Sequence, residues 1–464
     1  MPEDTPPPRR FDRAAYDLDA LRRLAAGVEI RDDAFTLKRR SRDHHWFSPI
    51  AREALAGRVA DLVALPRRVE EVEAVAAACA RLRIPLVARG AGTGTYGQAV
   101  PLEGGVVLDL SGLDRVLAAD PRRVRAEAGA RIDAVDAAAR AEGGELRMHP
   151  STKRMATIGG YVCGGSGGVG SVAWGGLREP GNLLGATVVT VEETPRRLTL
   201  TGEETNLVNR TFGATGIVVD VALPLAPARD WRDLAAVFPD FDAALDAAHA
   251  VADDAAIAKK LVSLHAPDSA RRLHPIAERI PEGAAAVLLM VAAEDRDAAR
   301  ARLEAAAGRV VLERVTAEAE ADPRALPLYE LSWGHTTLHA IRREPGMSYL
   351  QTLFPPGRIK ETARAMHAAF GAELPLHMEF IRYEGALAAN GAQLWPYTSP
   401  ERLAEIIAIH EAAGVPVANP HVFTVEEGSR HKRVPGDQLA FKAEVDPHGL
   451  LNPGKMTSYA PVRP

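Results

Sequence analysis

One stretch constrains the fold more than any other: Ala88-Arg-Gly-Ala-Gly-Thr-Gly-Thr-Tyr-Gly-Gln-Ala-Val-Pro101, with glycines at 90, 92, 94 and 97. Glycine tolerates backbone conformations closed to other residues, so successive N–H groups can converge on one concavity and bind phosphate oxygens without a cationic side chain. Gly92-x-Gly94-x-x-Gly97 matches the dinucleotide fingerprint letter for letter, but that fingerprint requires a helix starting at the loop. Here Pro101 and Gly104-Gly105 follow, then the apolar run Val106 to Leu110, which predicts a strand. A Walker A loop is excluded as well, because Gln98-Ala99 stands where Lys and Ser or Thr must reach phosphate and magnesium. The spacing therefore predicts a strand, glycine loop, strand cradle for a pyrophosphate. The plainer alternative is a loop rich in glycine only for tight turning.

A second cluster weakens that alternative. Ala156-Thr-Ile-Gly-Gly160 is followed by Gly164-Gly-Ser-Gly-Gly168 and Gly170-Ser171. The uncharged run Met155 to Leu177 is long enough to span a bilayer, but nine of its 23 residues are glycine, so it reads as backbone-exposing loops. Two such clusters in one domain suit both ends of a long cofactor.

Around the loops, Val69 to Leu82 and Ile132 to Ala141 carry apolar residues at helical spacing, and Ile84 to Ala88, Gly185 to Val191 and Gly216 to Leu223 read as strands. Past Pro224-Leu-Ala-Pro227 the texture changes. Alanine-rich helical segments (241 to 251, 296 to 307, 359 to 369, 401 to 413) alternate with strand-like runs (284 to 291, 348 to 354, 376 to 383, 392 to 397). That pattern predicts an antiparallel sheet covered on one side by helices.

The 464 residues allow two or three domains. A net charge of −5 with no basic stripe, and 5% aromatic residues, argue against a nucleic-acid partner. Two cysteines, Cys79 and Cys163, exclude a disulfide framework and suit a reducing compartment. The N-terminal MPEDTPPPRR has no apolar export segment, so a cytoplasmic protein without an integral membrane segment is expected.

Taken together, Arg89-Gly-Ala-Gly-Thr-Gly94 with Gly97 and Ala99-Val-Pro101, Gly105-Val-Val-Leu-Asp-Leu-Ser111, Ala156-Thr-Ile-Gly-Gly160, Phe212-Gly-Ala-Thr-Gly-Ile-Val218 and Asp446-Pro-His-Gly-Leu-Leu-Asn-Pro-Gly-Lys455 resemble the FAD-binding oxidoreductases of the vanillyl-alcohol oxidase and p-cresol methylhydroxylase superfamily, in its glycolate and D-lactate dehydrogenase branch. The resemblance implies an α+β fold: a two-subdomain FAD-binding domain at 55 to 228 after an N-terminal segment at 1 to 54, a cap domain with an antiparallel sheet at 229 to 439, and a C-terminal return at 440 to 464. It implies that Arg89, Gly90, Ala91, Gly92, Thr93, Gly94, Thr95, Gly97 and Gln98 bind the FAD pyrophosphate. Thr157, Ile158, Gly159, Gly160, Gly164 and Gly167 would flank the flavin, Gly216 and Val218 would meet the adenine side, and Asn452 and Lys455 would anchor the return. Thr93 stands where covalently flavinylated members carry histidine, so a non-covalent FAD is expected.

In that branch the substrate is a small 2-hydroxy acid, oxidised by hydride transfer to flavin N5 with a base taking the hydroxyl proton. The alternatives are a neutral sugar or phenolic alcohol, an amine, or a flavin-binding subunit without catalysis. The branch's metal-binding histidine motif is absent in its clear form. His377-Met-Glu379 falls on a strand whose alternation puts His377, Glu379 and Ile381 on one face. His421 and the Glu426 to Lys432 segment could join them around a metal, but polar residues lining a cleft is the favoured reading and no metal is expected. His335, His339 and Arg342 share one helical face, and Arg342 or Arg343 could grip a carboxylate. Trp395 and Tyr397 wall a pocket or pack in the core. The electron acceptor (oxygen, a quinone or a protein carrier) is open, and a homodimer is compatible with the chain.

Overall fold

The computed structural model describes residues 11–165, 167–426 and 434–459. Its seventeen strands form three sheets that follow one another along the chain.

The first sheet contains β1 (Glu29–Arg31), β2 (Leu62–Leu65), β3 (Leu86–Arg89) and β4 (Val106–Asp109), in the order β1-β2-β4-β3. Strands β2 and β3 run parallel to β4. The amphipathic helix Val69–Leu82 makes the crossover from β2 to β3 and buries Val72, Val75, Ala76 and Cys79 against this sheet. Between β3 and β4 there is no helix, as expected from Pro101 and Gly105. Gly105 has φ +70°, and a Cβ there would stand 2.1 Å from the Pro85 carbonyl oxygen, so glycine is required where the chain re-enters the sheet.

The second sheet is antiparallel throughout: β5 (Val116–Asp120), β6 (Arg123–Glu127), β7 (Gly144–Leu146), β8 (Gly185–Val189), β9 (Arg197–Thr201) and β10 (Ile217–Pro227). The glycine cluster after Thr157 is not loop throughout. Ile158–Gly164 and Ser171–Trp174 are short helices, because Ile158, Tyr161 and Val162 bury an apolar face in the core of this sheet.

The third sheet holds β11 (Trp231–Phe238), β12 (Lys259–His265), β13 (Ala285–Ala292), β14 (Arg309–Val315), β15 (Met347–Phe354), β16 (His377–Tyr383) and β17 (Ala386–Pro396), all antiparallel. Helices Phe241–Asp253, Arg296–Ala305, Ile359–Phe370 and Pro400–Ala412 pack on one face, as the alternating pattern predicted. The other face meets Val169 of the glycine segment and the turn Leu328–Leu331. A buried ion pair, Lys260 Nζ to Glu145 at 2.9 Å, and a partly buried one, Lys153 Nζ to Glu320 at 2.9 Å, join the two halves, with Trp231 Nε1 donating to Glu145 at 2.8 Å. Removing one partner of such a pair would strand a buried charge, so this network fixes how the third sheet sits over the first half.

The C-terminal segment returns. Leu451 bridges Leu86 of β3 in parallel, Leu450 and Leu451 join the core of the first sheet, and Phe441 and Val445 of the helix Gly436–Val445 join the core of the second.

Candidate functional site

A cavity of about 1210 Å³ opens between the glycine loop, the helix Ile158–Gly164 and the third sheet. It exceeds the range of about 300–1,000 Å³ usual for a small-molecule pocket and has room for an extended dinucleotide with a small substrate. Residues Arg89 to Thr95, Gln98, Thr157, Gly159, Gly160, Gly164, Gly167, Gly216 and Val218 all line it. Gly97, Ile158, Asn452 and Lys455 do not; they act from behind. Asn452 Nδ2 donates to the Gln98 carbonyl at 2.9 Å and to the Phe212 carbonyl at 2.6 Å, and Lys455 Nζ donates to the Gly97 carbonyl at 2.7 Å. Burial pushes the Lys455 ammonium down to about 7.

The residues of the cradle can accept a phosphate group. A Cβ on Gly90 would stand 2.0 Å from Thr157 Oγ1, so the bare Gly90 backbone packs directly against the Thr157 side chain. Thr157 Oγ1 and Arg89 Nε are buried without a hydrogen-bond partner. Arg89 is otherwise fixed, donating to the carbonyls of Arg42 and Ala91, and its burial lowers its proton affinity. Bare amides, a spare hydroxyl and a guanidinium fit a pyrophosphate.

The opposite wall is polar but largely uncharged. Tyr349 OH bonds Thr95 Oγ1 at 2.9 Å and Tyr96 OH donates to Gln351 Oε1, tying the glycine loop to β15. Burial raises both phenols, so they stay protonated at neutral pH. Tyr96 was legible inside the glycine loop, whereas Tyr349 arrives only through the β15–β17 register.

Beyond the tyrosines stands Glu379 of β16, which is buried and lines the cavity. Its Oε1 takes three hydrogen bonds: His377 Nε2 at 2.6 Å, Ser263 Oγ at 2.9 Å and the Trp333 N–H at 2.7 Å. Oε2 has none. Because Ser263 donates to Glu379, it must accept from His265 Nε2, 3.0 Å away, while His265 Nδ1 faces Ser269 Oγ. Burial drives His265 far below its ordinary value, so it is neutral.

The remaining candidates lie elsewhere. His421 Nδ1 bonds Ser48 Oγ at 2.8 Å, and its ring sits beside Trp395 and Tyr397. Glu426 accepts from the N–H groups of Thr457 and Ser458. Neither joins His377 and Glu379, and among the described residues no group of three or more His, Cys, Asp or Glu is placed to hold a metal ion; residues 427–432 lie outside the described residues. Arg342 and Arg343 are exposed and absent from the cavity lining. The helix that carries them, Gly334–Arg343, starts after Trp333, which has φ 52° and ψ −136°. Arg382, on the strand of Glu379, does line it.

Comparison with known proteins agrees with this geometry. Residues 60–199 match the family described as FAD binding domain, and residues 230–381 that of the FAD linked oxidases, C-terminal domain. Glycolate oxidase subunit GlcD of Escherichia coli K12 is 35% identical over 176 residues, 36% of this chain but 34% of that protein, so the match spans about a third of that relative. D-lactate dehydrogenase of Archaeoglobus fulgidus is 24% identical over 430 residues, 85% of this chain and 91% of that protein. Among solved structures, alkyldihydroxyacetonephosphate synthase superposes with a TM-score of 0.70 at 14% identity, covering 97% of this chain and 86% of that one. The first match is thus a flavin-binding domain and the second the C-terminal domain of FAD linked oxidases. The chain belongs to the FAD-linked oxidoreductases, and its cofactor is FAD.

Proposed function

We propose that this chain oxidises the CH–OH group of a small alcohol, a 2-hydroxy acid in the first instance, with Glu379 as the proton acceptor. The observation that carries the reading is Glu379, a buried carboxylate of the cavity lining whose Oε2 has no hydrogen-bond partner. Three donors to Oε1 fix the carboxylate, so Oε2 is positioned to take the substrate's hydroxyl proton as carbon loses hydride and the carbonyl forms. FAD, when bound, supplies the hydride acceptor at flavin N5. The neutral tyrosines Tyr96 and Tyr349 help to exclude water.

In this reading Arg89 to Thr95 and Gln98 hold the pyrophosphate, Thr157, Gly159, Gly160, Gly164 and Gly167 flank the flavin, and Gly216 and Val218 meet the adenine end. Ile158, Gly97, Asn452 and Lys455 support the cradle from behind. Thr93 leaves the flavin non-covalent. His377 is a positioning residue. The division near residue 228, with the C-terminal segment belonging to the first half, is supported by the packing of Leu450 and Leu451.

The 2-hydroxy-acid class rests on the named relatives and on Arg382, a cavity-lining cation with no ion pair among the described residues. A second reading, a neutral alcohol, is favoured by the exposure of Arg342 and Arg343. Anaerobic addition of 2-hydroxy acids, neutral alcohols and amines, followed by flavin absorbance, separates the two. No helix among the described residues is long and apolar enough to cross a membrane; a cytoplasmic location is part of the proposal.

A further inference from the structure

Outside the cofactor cavity, a groove of about 490 Å³ runs beside the seven-residue helix Ala34–Arg40, lined by Phe35, Lys38, Arg39, Arg42, Trp46 and Arg89. Phe35 is 71% exposed, more than any other large apolar side chain among the described residues. Lys38, Arg39 and Arg42 are exposed, and none takes part in an ion pair among the described residues. The acids nearby are already engaged. Asp43 is buried and accepts from His45 and the Ala99 N–H, Asp33 caps the helix, and Asp32 pairs with Arg22. Arg40 is held by Asp109 at 2.9 Å, which pins the helix to the end of β4. On a chain with net charge −5, this face is locally basic with an aromatic tip.

Its position gives that chemistry a use. Asp43, Arg89, Ala91 and Gly92 line both the groove and the cofactor cavity, so one segment of glycine-loop backbone separates the two. We propose that this face is the docking surface for an acidic one-electron carrier protein; the proposal rests on the reading that FAD occupies the adjoining cavity. Oxidising one CH–OH group to a carbonyl releases two electrons and two protons. Two carrier molecules dock in turn, each reduced by one electron, and the protons pass to water. Electron-transfer encounters bury little surface, at the low end below about 1,200 Å², and depend on charge complementarity for rate and register. Three unpaired cations around one exposed ring suit such an encounter. An anionic membrane suits it less, because a helix of this length with one exposed ring offers too small an apolar face for interfacial insertion.

The test uses the full, FAD-loaded chain and three probes: cytochrome b5, which is acidic; cytochrome c, which is basic; and vesicles containing phosphatidylserine. Calorimetry at low salt should show wild-type protein binding cytochrome b5, weakening as salt rises from about 0.02 M to about 0.2 M. Lys38→Glu/Arg39→Glu/Arg42→Glu should lose about tenfold or more in that affinity, with the neutral Lys38→Gln/Arg39→Gln variant in between. Anaerobic bleaching of the flavin by substrate should be unchanged in both, while electron delivery to cytochrome b5 falls with its binding. Unchanged cytochrome b5 binding in the charge-reversed variant overturns the proposal, as does preferential wild-type binding to cytochrome c or to the vesicles. Because binding is read without turnover, failure of substrate to bleach the flavin would count against the oxidoreductase reading and leave this one decided separately.

Discussion

The backbone N–H of Trp333 donates to Glu379 Oε1 at 2.7 Å, across 46 residues of sequence. Trp333 makes this bond from φ 52° and ψ −136°, a conformation costing a non-glycine residue on the order of 1–3 kcal/mol. The strain sits where the cap helix begins and where the carboxylate is held, with Ser263 and His377 completing the grip on Oε1. Positioning of Oε2 is thus a property of the strained turn and the β12–β16 pair together.

Ser263→Ala should show that positioning directly. It removes one donor to Glu379 and leaves the buried His265 Nε2 without its acceptor, so unfolding free energy should fall by about 1–3 kcal/mol. Flavin content should hold while the anaerobic reduction rate falls; an unchanged rate in a destabilised protein would make Ser263 merely structural.

In Gly90→Ala the new Cβ meets Thr157 Oγ1 at 2.0 Å, so the two glycine clusters must separate. FAD occupancy, read from the ratio of flavin to protein absorbance, should drop sharply. The double variant Gly90→Ala/Thr157→Ala should recover much of it, because the clashing hydroxyl is gone. Failure of that recovery would place the flavin phosphates away from this contact.

The buried histidines set the acid limit. Burial holds His421 at about 4 and His335 at about 3, against 6.5 for a free imidazole, and His149 and His265 are lowered too. As pH drops through 6.5 the unfolded chain binds these protons first, so their stabilising contribution is complete above pH 6.5. It is lost at up to about 1.4 kcal/mol per pH unit for each histidine. Urea midpoints should fall between pH 7.5 and pH 5.5. A flat profile over that window would contradict the neutral, buried assignment.

If the proposed reading holds, Arg382, a cavity-lining arginine on the strand of Glu379, distinguishes an acid from its neutral analogue. Arg382→Met should remove a charge-assisted bond of about 1.5–3 kcal/mol, roughly ten to a hundred and fifty fold in kcat/KM for a 2-hydroxy acid, and leave the amide little changed. Equal losses for both would favour the neutral-alcohol reading.

Much of the cradle was legible because local chemistry decides it. Pro101 and Gly105 forbid a helix after the loop, and alternation along β16 puts Glu379 toward the cavity. What could not be read depends on long-range placement. The helical period groups His335, His339 and Arg342, yet nothing local reveals that Arg342 and Arg343 are exposed and lie outside the cavity lining. Tyr349 meets Thr95 only through pairing across β15 and β17. The helix Ile158–Gly164 forms against its glycine content because tertiary burial of Ile158 and Tyr161 outweighs propensity.

The most direct test of the account is anaerobic reduction of the bound flavin in Glu379→Gln, a change that keeps the volume and removes the proton acceptor. With the 2-hydroxy acid that best bleaches the wild-type protein, the variant should retain full FAD content and reduce about 10²–10⁴ times more slowly. Reduction at the wild-type rate in a variant with normal FAD content would contradict the role given to Glu379 and, with it, the proposed chemistry of the cavity.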